Sequence, residues 1–204
     1  MEYFEELSRL LAKSGFVGTP LVVGAVLLWF GLGYRLVLLF SGDRRDARSL
    51  AEAALADRLE SPKGVVAAAA HEAAALARRR AGSLRHLLDE TFFDYEQEVR
   101  KYGALTSSIV RIAPLLGLLG TVSGMIETFD HLGDSTGLNQ GAGVAGGISE
   151  ALFSTQMGLM VAIPGLLIGR LLDRRAEVVD GELEKLKDVF AQLEQNEAPG
   201  GAAS

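Results

Sequence analysis

The chain has 204 residues, 24 glycines, no cysteine and a net charge of −6, at a mean hydropathy of +0.22. These averages conceal a division into very apolar and very charged blocks. The charged blocks are Ala-rich with balanced charge, the composition of long solvated helices rather than of a compact enzyme core, and the absence of cysteine fits any compartment.

In chain order, residues 1–14 (MEYFEELSRLLAKS) place Tyr3, Phe4, Leu7, Leu10 and Leu11 on one face, the pattern of an amphipathic helix lying on a membrane surface. Residues 15–40 carry a single charge, Arg35, and their apolar length matches the roughly 20 residues needed to cross a bilayer. They are expected to form a first transmembrane helix. A cleavable signal is not expected, because acidic Glu2, Glu5 and Glu6 precede the segment and no small-residue cleavage site follows it.

Residues 41–106 read as a helical domain with one break at Pro62 and Gly64. Arg78, Arg79 and Arg80 are offset by Glu72, Asp89 and Glu90, so they read as a solvated face and not as a nucleic-acid site. From Phe92 to Arg111 nothing interrupts a helix except Gly103, so the second span, 107–129, is expected to continue a cytoplasmic helix. Within it Gly117, Thr121, Gly124 and Thr128 share a face with Gly120 alongside, and glycines between membrane helices let backbones approach. Pro114 is expected to bend the entry to this span. GLLGTVSG lacks the Lys of a phosphate loop and lies in an apolar run, so nucleotide binding is set aside.

Residues 130–143 form a loop and 144–172 a third span. That helix is expected to run on through 173–196, where Glu182, Leu183, Leu186, Val189, Phe190 and Leu193 keep helical spacing. Residues 197–204 read as a disordered tail. Along the third span Ala151, Thr155, Gly158, Ala162, Gly165 and Gly169 fall on one side. Six small residues exceed what a single three-span unit can partner, which predicts an oligomer. The fold class is therefore an all-α membrane protein with three transmembrane helices, the second and third extended into long cytoplasmic helices.

Orientation follows from the cations, because positively charged loops stay cytoplasmic. Arg35, Arg44, Arg45 and Arg48 crowd the exit of the first span, and Arg170, Arg174 and Arg175 that of the third. The connection from Glu127 to Ser149 has no Lys or Arg but holds Glu127, Asp130 and Asp134. The N-terminus is expected outside and the C-terminus inside, with 41–106 in the cytoplasm, in a bacterial inner membrane.

Glu150 is the acidic group set within a span, and an ionisable residue at membrane depth is a functional candidate by default. Thr121 lies eight residues inside Phe129 and Thr155 eight inside Gly147, which places both hydroxyls about 12 Å below the outer surface as a polar ring. The plain alternative for each is a bond to its own helix carbonyl. His71, His86 and His131 fall outside the spans, so neither a histidine relay, a metal site nor any other cofactor is indicated, and no catalytic constellation can be assembled. A second titratable group for a proton path would have to come from another subunit.

Ala113–Phe129 (APLLGLLGTVSGMIETF) and Gly146–Ile168 (GGISEALFSTQMGLMVAIPGLLI) resemble the second and third spans of the ExbB/TolQ/MotA family of proton-driven inner-membrane motor proteins, most closely ExbB. The likeness extends more weakly to LLWFGLGYRL of the first span. The family's GLxGTV threonine falls on Thr121, the glutamate of GIxEAL on Glu150 and the following threonine on Thr155, and the helix-kinking prolines match at Pro114 and Pro164. Ser123 stands where many ExbB and TolQ proteins have tryptophan, so the subfamily stays open. The resemblance implies a homopentamer around a dimer of a single-span ExbD/TolR-like subunit that supplies a membrane aspartate, set among membrane lipids. It also implies proton flow turned into work on a TonB-like protein. A TolQ-type envelope subunit and a gliding or flagellar stator are the rivals inside the family. A passive membrane scaffold is the reading of a different class.

Overall fold

A computed structural model describes residues 15–42, 46–58, 64–78, 84–134 and 140–197. Every element among them is a helix: α1 Gly15–Phe40, α2 Ala47–Leu55, α3 Val65–Arg78, α4 Leu84–Arg100, α5 Gly103–Asp134 and α6 Gln140–Glu197. The helices containing the three expected spans, α1, α5 and α6, are long and apolar enough to cross a membrane, which establishes the all-α membrane class. The surface helix at 1–14, the cations Arg44, Arg45, Arg79 and Arg80, the break at Pro62 and tail residues 198–204 lie outside the described residues. Pro114 and Pro164 sit inside α5 and α6 without ending either helix.

The chain divides into two compact units, one of residues up to Leu32 with Gly103–Arg170, the other of Gly33–Tyr102 with Leu171 onward. In the first unit each helix buries a single stripe. On α5 it runs Thr106, Val110, Ala113, Gly117, Gly120, Gly124, Thr128, and on α6 Gly147, Ala151, Ser154, Gly158, Ala162, Gly165, both at steps of three or four. The buried residues of these two helices are small, while Leu115, Leu118, Val122, Phe129, Leu152, Met160 and Leu167 are exposed. α1 supplies the bulk: Val17 and Leu21 pack with Ala113 and Ala162, and Leu28 fills the space over Gly165.

The second unit has a core of its own. The alanines of α3 do not form a solvated helix as their composition suggested: Ala67, Ala69, Ala70, Ala73 and Ala74 are buried, with α3 packed between α2 and α4. Small side chains let three short helices sit close enough to exclude water. α6 contributes Leu172, Ala176, Val179, Leu183, Leu186 and Phe190, a buried seam at strict four–three spacing of the coiled-coil kind. Lys187 pairs with Asp89 at 3.0 Å and Arg100 with Asp180 at 2.9 Å. Tyr95 donates to Glu72 at 2.8 Å; burial first, and then that carboxylate, push its hydroxyl up to about 12, so it stays protonated and keeps donating. Gly64, at φ +89, is the residue that a close approach requires, because a Cβ there would collide with the backbone of Gly42.

The extension of the second span is not one unbroken rod. α4 ends at Arg100, α5 begins at Gly103, and Tyr102 between them has φ +63, a left-handed conformation that stops a helix. The break falls one residue before the glycine that marked it in sequence. The Tyr102 ring meets Tyr34 edge-on with centroids 5.2 Å apart, and Lys101 lies within 6 Å of both rings.

Arg35, the lone charge of the first span, falls on the buried stripe of α1. Its side chain is 3% exposed and its Nη2 donates to Asp173 at 2.8 Å, while Nε and Nη1 are buried without hydrogen-bond partners. Asp173 is 55% exposed, so solvent takes up part of its charge and the pair is weaker than a fully enclosed one. Removing one partner of a buried pair costs more than removing both charges' need for each other. Asp173→Asn should therefore destabilise the detergent-solubilised protein by about 2 kcal/mol, whereas Arg35→Met, which fills the same space without a charge, should cost less than half of that. Thermal unfolding followed by circular dichroism checks the order; equal losses would assign Arg35 to packing alone.

Candidate functional site

The site is built on the antiparallel register of α5 and α6, and glycines set that register. A Cβ on Gly158 would lie 2.6 Å from the Ala113 carbonyl oxygen, one on Gly117 would lie 3.1 Å from the Cα of Thr155, and one on Gly124 would lie 2.8 Å from the Gly147 carbonyl oxygen. Added methyls at Gly120 and Gly147 would collide with the side chains of Ser154 and Thr128. The seam expected from Gly117, Gly120, Gly124, Ala151, Gly158, Ala162 and Gly165 is thus taken up inside one chain, by α1, α5 and α6 against one another. The inference that such a seam needs other copies to fill it does not hold. Gly169, which continued the stripe in sequence, would meet no atom within 4 Å of an added Cβ.

The hydroxyls divide between two kinds of bond. Ser154 and Thr128 are buried and donate to carbonyls one turn earlier, those of Glu150 at 2.7 Å and Gly124 at 2.8 Å. Thr121 does the same to Leu118 at 2.6 Å. Thr155 crosses between helices, donating to the Gly117 carbonyl oxygen at 3.2 Å. That bond sets Thr155 level with Gly117, one turn from Thr121, so the two threonines are staggered by about 6 Å instead of sharing one level. Counting from helix ends missed this because the glycine contacts, and not the ends, fix the register.

Glu150 is half-buried, and two neighbours define its place. Gly15, the first residue of α1 at φ +57, faces its Oε1 so closely that an added Cβ would collide with it. On the α5 side the Glu127 carboxyl stands beside it. Two carboxyls side by side, one on each chain segment, are groups that can take up or release a proton. Glu127 was overlooked as a site residue because it stood among the acidic groups of the loop. Its separation from Glu150 along antiparallel helices, each acid one turn from a seam glycine, was the signal that could have found it. Ser154 was overlooked because the small-residue stripe was drawn through Thr155, one position around the helix. Among the described residues no three acidic or histidine side chains gather as metal ligands.

A model of the MotA/TolQ/ExbB proton channel family matches residues 58–185, more than half of the chain. An ExbB-like biopolymer transport protein of Synechocystis sp. is 34% identical over 173 residues, covering 78% of this chain and 68% of the relative. A second ExbB-like protein of the same organism is 47% identical over 75 residues, where the aligned part spans 35% of the relative's length. The biopolymer transport protein ExbB of Neisseria gonorrhoeae is 40% identical over 80 residues, 39% of this chain and 36% of that one.

The two classes of glycine separate in stability. Gly158→Ala forces the α5 and α6 backbones apart and should cost about 1–3 kcal/mol, the range of overpacked cores. Gly169→Ala, into open space, should be neutral within about 0.5 kcal/mol. Unfolding of both variants by titrated denaturing detergent gives the comparison, and a neutral Gly158→Ala would show that the helices do not meet there.

Proposed function

The chain belongs to the MotA/TolQ/ExbB proton channel family, and from that premise we propose that it is the channel and stator subunit of an energy-converting inner-membrane motor. In this reading five copies surround a dimer of a single-span ExbD-like partner. Proton motive force becomes mechanical work, passed to a TonB-like protein that energises transport across an outer membrane. The N-terminus lies in the periplasm and the C-terminus in the cytoplasm, with 130–143, expected as a loop but helical over 130–134 and 140–143, as the periplasmic connection and 41–106 and 173–196 as the cytoplasmic parts.

The observation that carries the reading is the Glu127–Glu150 carboxyl pair at one end of the α5–α6 seam, inside the segment that the family model matches. Ionisable groups are costly in hydrocarbon and mark ion pathways when they occur there. Thr155 and Thr121 lie farther along the same helix pair, and a hydroxyl both donates and accepts, so it can pass a proton without changing charge. The resemblance supports the pentamer, and the large apolar side chains left exposed on α5 and α6 are surfaces that lipid or neighbouring copies can cover. The relatives named above are called ExbB or ExbB-like, which favours the ExbB type over its rivals.

Proton flux into liposomes tests this. The chain alone should conduct little, and adding an ExbD-like partner should raise the flux at least tenfold. Thr121→Val with Thr155→Val keeps shape and removes both hydroxyls, so assembly should survive while coupled flux falls at least tenfold. Glu150→Gln retains hydrogen bonding without titration, and Glu150→Ala removes both. Loss in both assigns the residue to charge, loss in Ala alone to polar structure. Robust flux from the chain alone, unchanged by any of these substitutions, would defeat the two-subunit mechanism.

A further inference from the structure

In the second unit, where α1 ends and α6 leaves its apolar run, a cavity of about 570 Å³ opens to the surface. Phe40 of α1 and Leu171, Arg174, Arg175, Val178 and Glu182 of α6 line it. The α6 residues stand at steps of three and four, so they share one face. Phe40, Leu171 and Val178 are each about half exposed or more, an apolar wall with nothing over it. The Arg175 guanidinium stands 5.9 Å from the centre of the Phe40 ring, and its Nε is buried with no hydrogen-bond partner. Arg174 is exposed beside it. The sequence treated these two arginines only as markers of orientation.

Position supplies the chemistry of the missing partner. The apolar run of α1 stops at Phe40 and that of α6 at Leu172, so the arginines follow the last hydrocarbon-facing turn and lie at the depth of lipid phosphates. A guanidinium presents a planar fork that matches phosphate oxygens, and two forks on one face can share one phosphate. The apolar wall on the hydrocarbon side of the arginines suits an acyl chain. Glu182 lies eight residues beyond Arg174, about 12 Å along the helix and away from the hydrocarbon, so it borders the far rim of the cavity. Two cations against one anion leave the lining net positive.

We propose that this cavity binds an anionic phospholipid, with Arg174 and Arg175 on its headgroup phosphate and Phe40 and Leu171 against the start of its acyl chain. The lipid supplies an acceptor for the unpartnered Arg175 Nε, a counter-charge for both arginines, and a cover for the exposed wall. It ties the end of the first span to the third through a ligand, beside the Arg35–Asp173 pair that ties the same two helices directly. The assignment requires only that α1 and α6 cross a membrane, and stands or falls separately from proton conduction.

Native mass spectrometry of the full chain in mild detergent tests it. Phosphatidylglycerol and phosphatidylcholine of identical acyl chains are titrated in parallel with glycerol 3-phosphate, which carries the phosphate without tails. Phosphatidylglycerol should be retained at least tenfold better than phosphatidylcholine, and glycerol 3-phosphate should not bind. At about fivefold per basic residue near a membrane surface, Arg174→Gln with Arg175→Gln should weaken phosphatidylglycerol retention about thirtyfold. Arg48→Gln, which removes an exposed cation elsewhere, should leave it unchanged. Should the double variant fold poorly, Phe40→Ala and the Arg174→Lys, Arg175→Lys pair take its place, and both should weaken retention with oligomer mass unchanged. Equal retention of the two lipids, undiminished binding in the arginine variants, or equal affinity for glycerol 3-phosphate would each overturn the assignment. So would a change of oligomer mass in the arginine variants, which would give the cavity to a second copy of the chain.

Discussion

Backbone contact between α5 and α6 is the constraint from which the rest of the membrane unit follows. Hydrocarbon surrounds both faces of a membrane helix, so there is no gain in hiding leucine from it. What holds helices together is contact density and whatever polar bonds the contact permits. Gly117 against Thr155 and Gly158, and Gly124 against Gly147 and Ala151, bring the two backbones to a distance at which a side-chain hydroxyl can reach the opposite carbonyl. The Glu127–Glu150 pair depends on the same register: a slip by one residue would turn one carboxyl away from the other. Packing and the approach of the two carboxyls are thus set by one contact.

The second unit solves a different problem by ordinary means. Its core is made of alanines on α3 and of a four–three seam on α6, closed by ion pairs at the rim. Each of those pairs keeps one partner in water and contributes little, because water competes for it. Arg35 is the exception, since its guanidinium is enclosed and finds a single carboxylate. An enclosed cation with one partner fixes which way α1 is rotated, since turning the helix would strip the charge of its only acceptor.

Much of this was legible in the chain. A bilayer demands about 20 apolar residues, a requirement strict enough to mark α1, α5 and α6, and the motifs around Thr121 and Glu150 carried the family. The seam was legible to within one residue of rotation: a helix advances 100° per residue, so stripes through Ser154 and through Thr155 fit the small-residue pattern almost equally well. Tyr102 was not legible as a stop, because a left-handed tyrosine is held by its surroundings, here Tyr34 and Lys101, and not by its own preference. The pairing of Glu127 with Glu150 depends on register across two helices, and nothing local to either residue states it. The buried alanines of α3 misled in the opposite direction, since alanine favours helix equally in water and in a tight core.

The distribution of side-chain size also changes how substitution experiments read this protein. Alanine scanning finds the interior of most proteins by truncating it, and the loss of buried volume is the signal. Along the buried stripes of α5 and α6 the residues are already alanine or smaller at Ala113, Gly117, Gly120, Gly124, Gly147, Ala151, Gly158, Ala162 and Gly165. Alanine there is either no change or an enlargement, while at the exposed leucines it trims a surface that the chain leaves largely uncovered. Such a scan would rank the surface and the interior in the wrong order. A scan with a larger residue, such as valine or leucine, would trace the contact, and its pattern of tolerated positions would be the imprint of one helix upon the other.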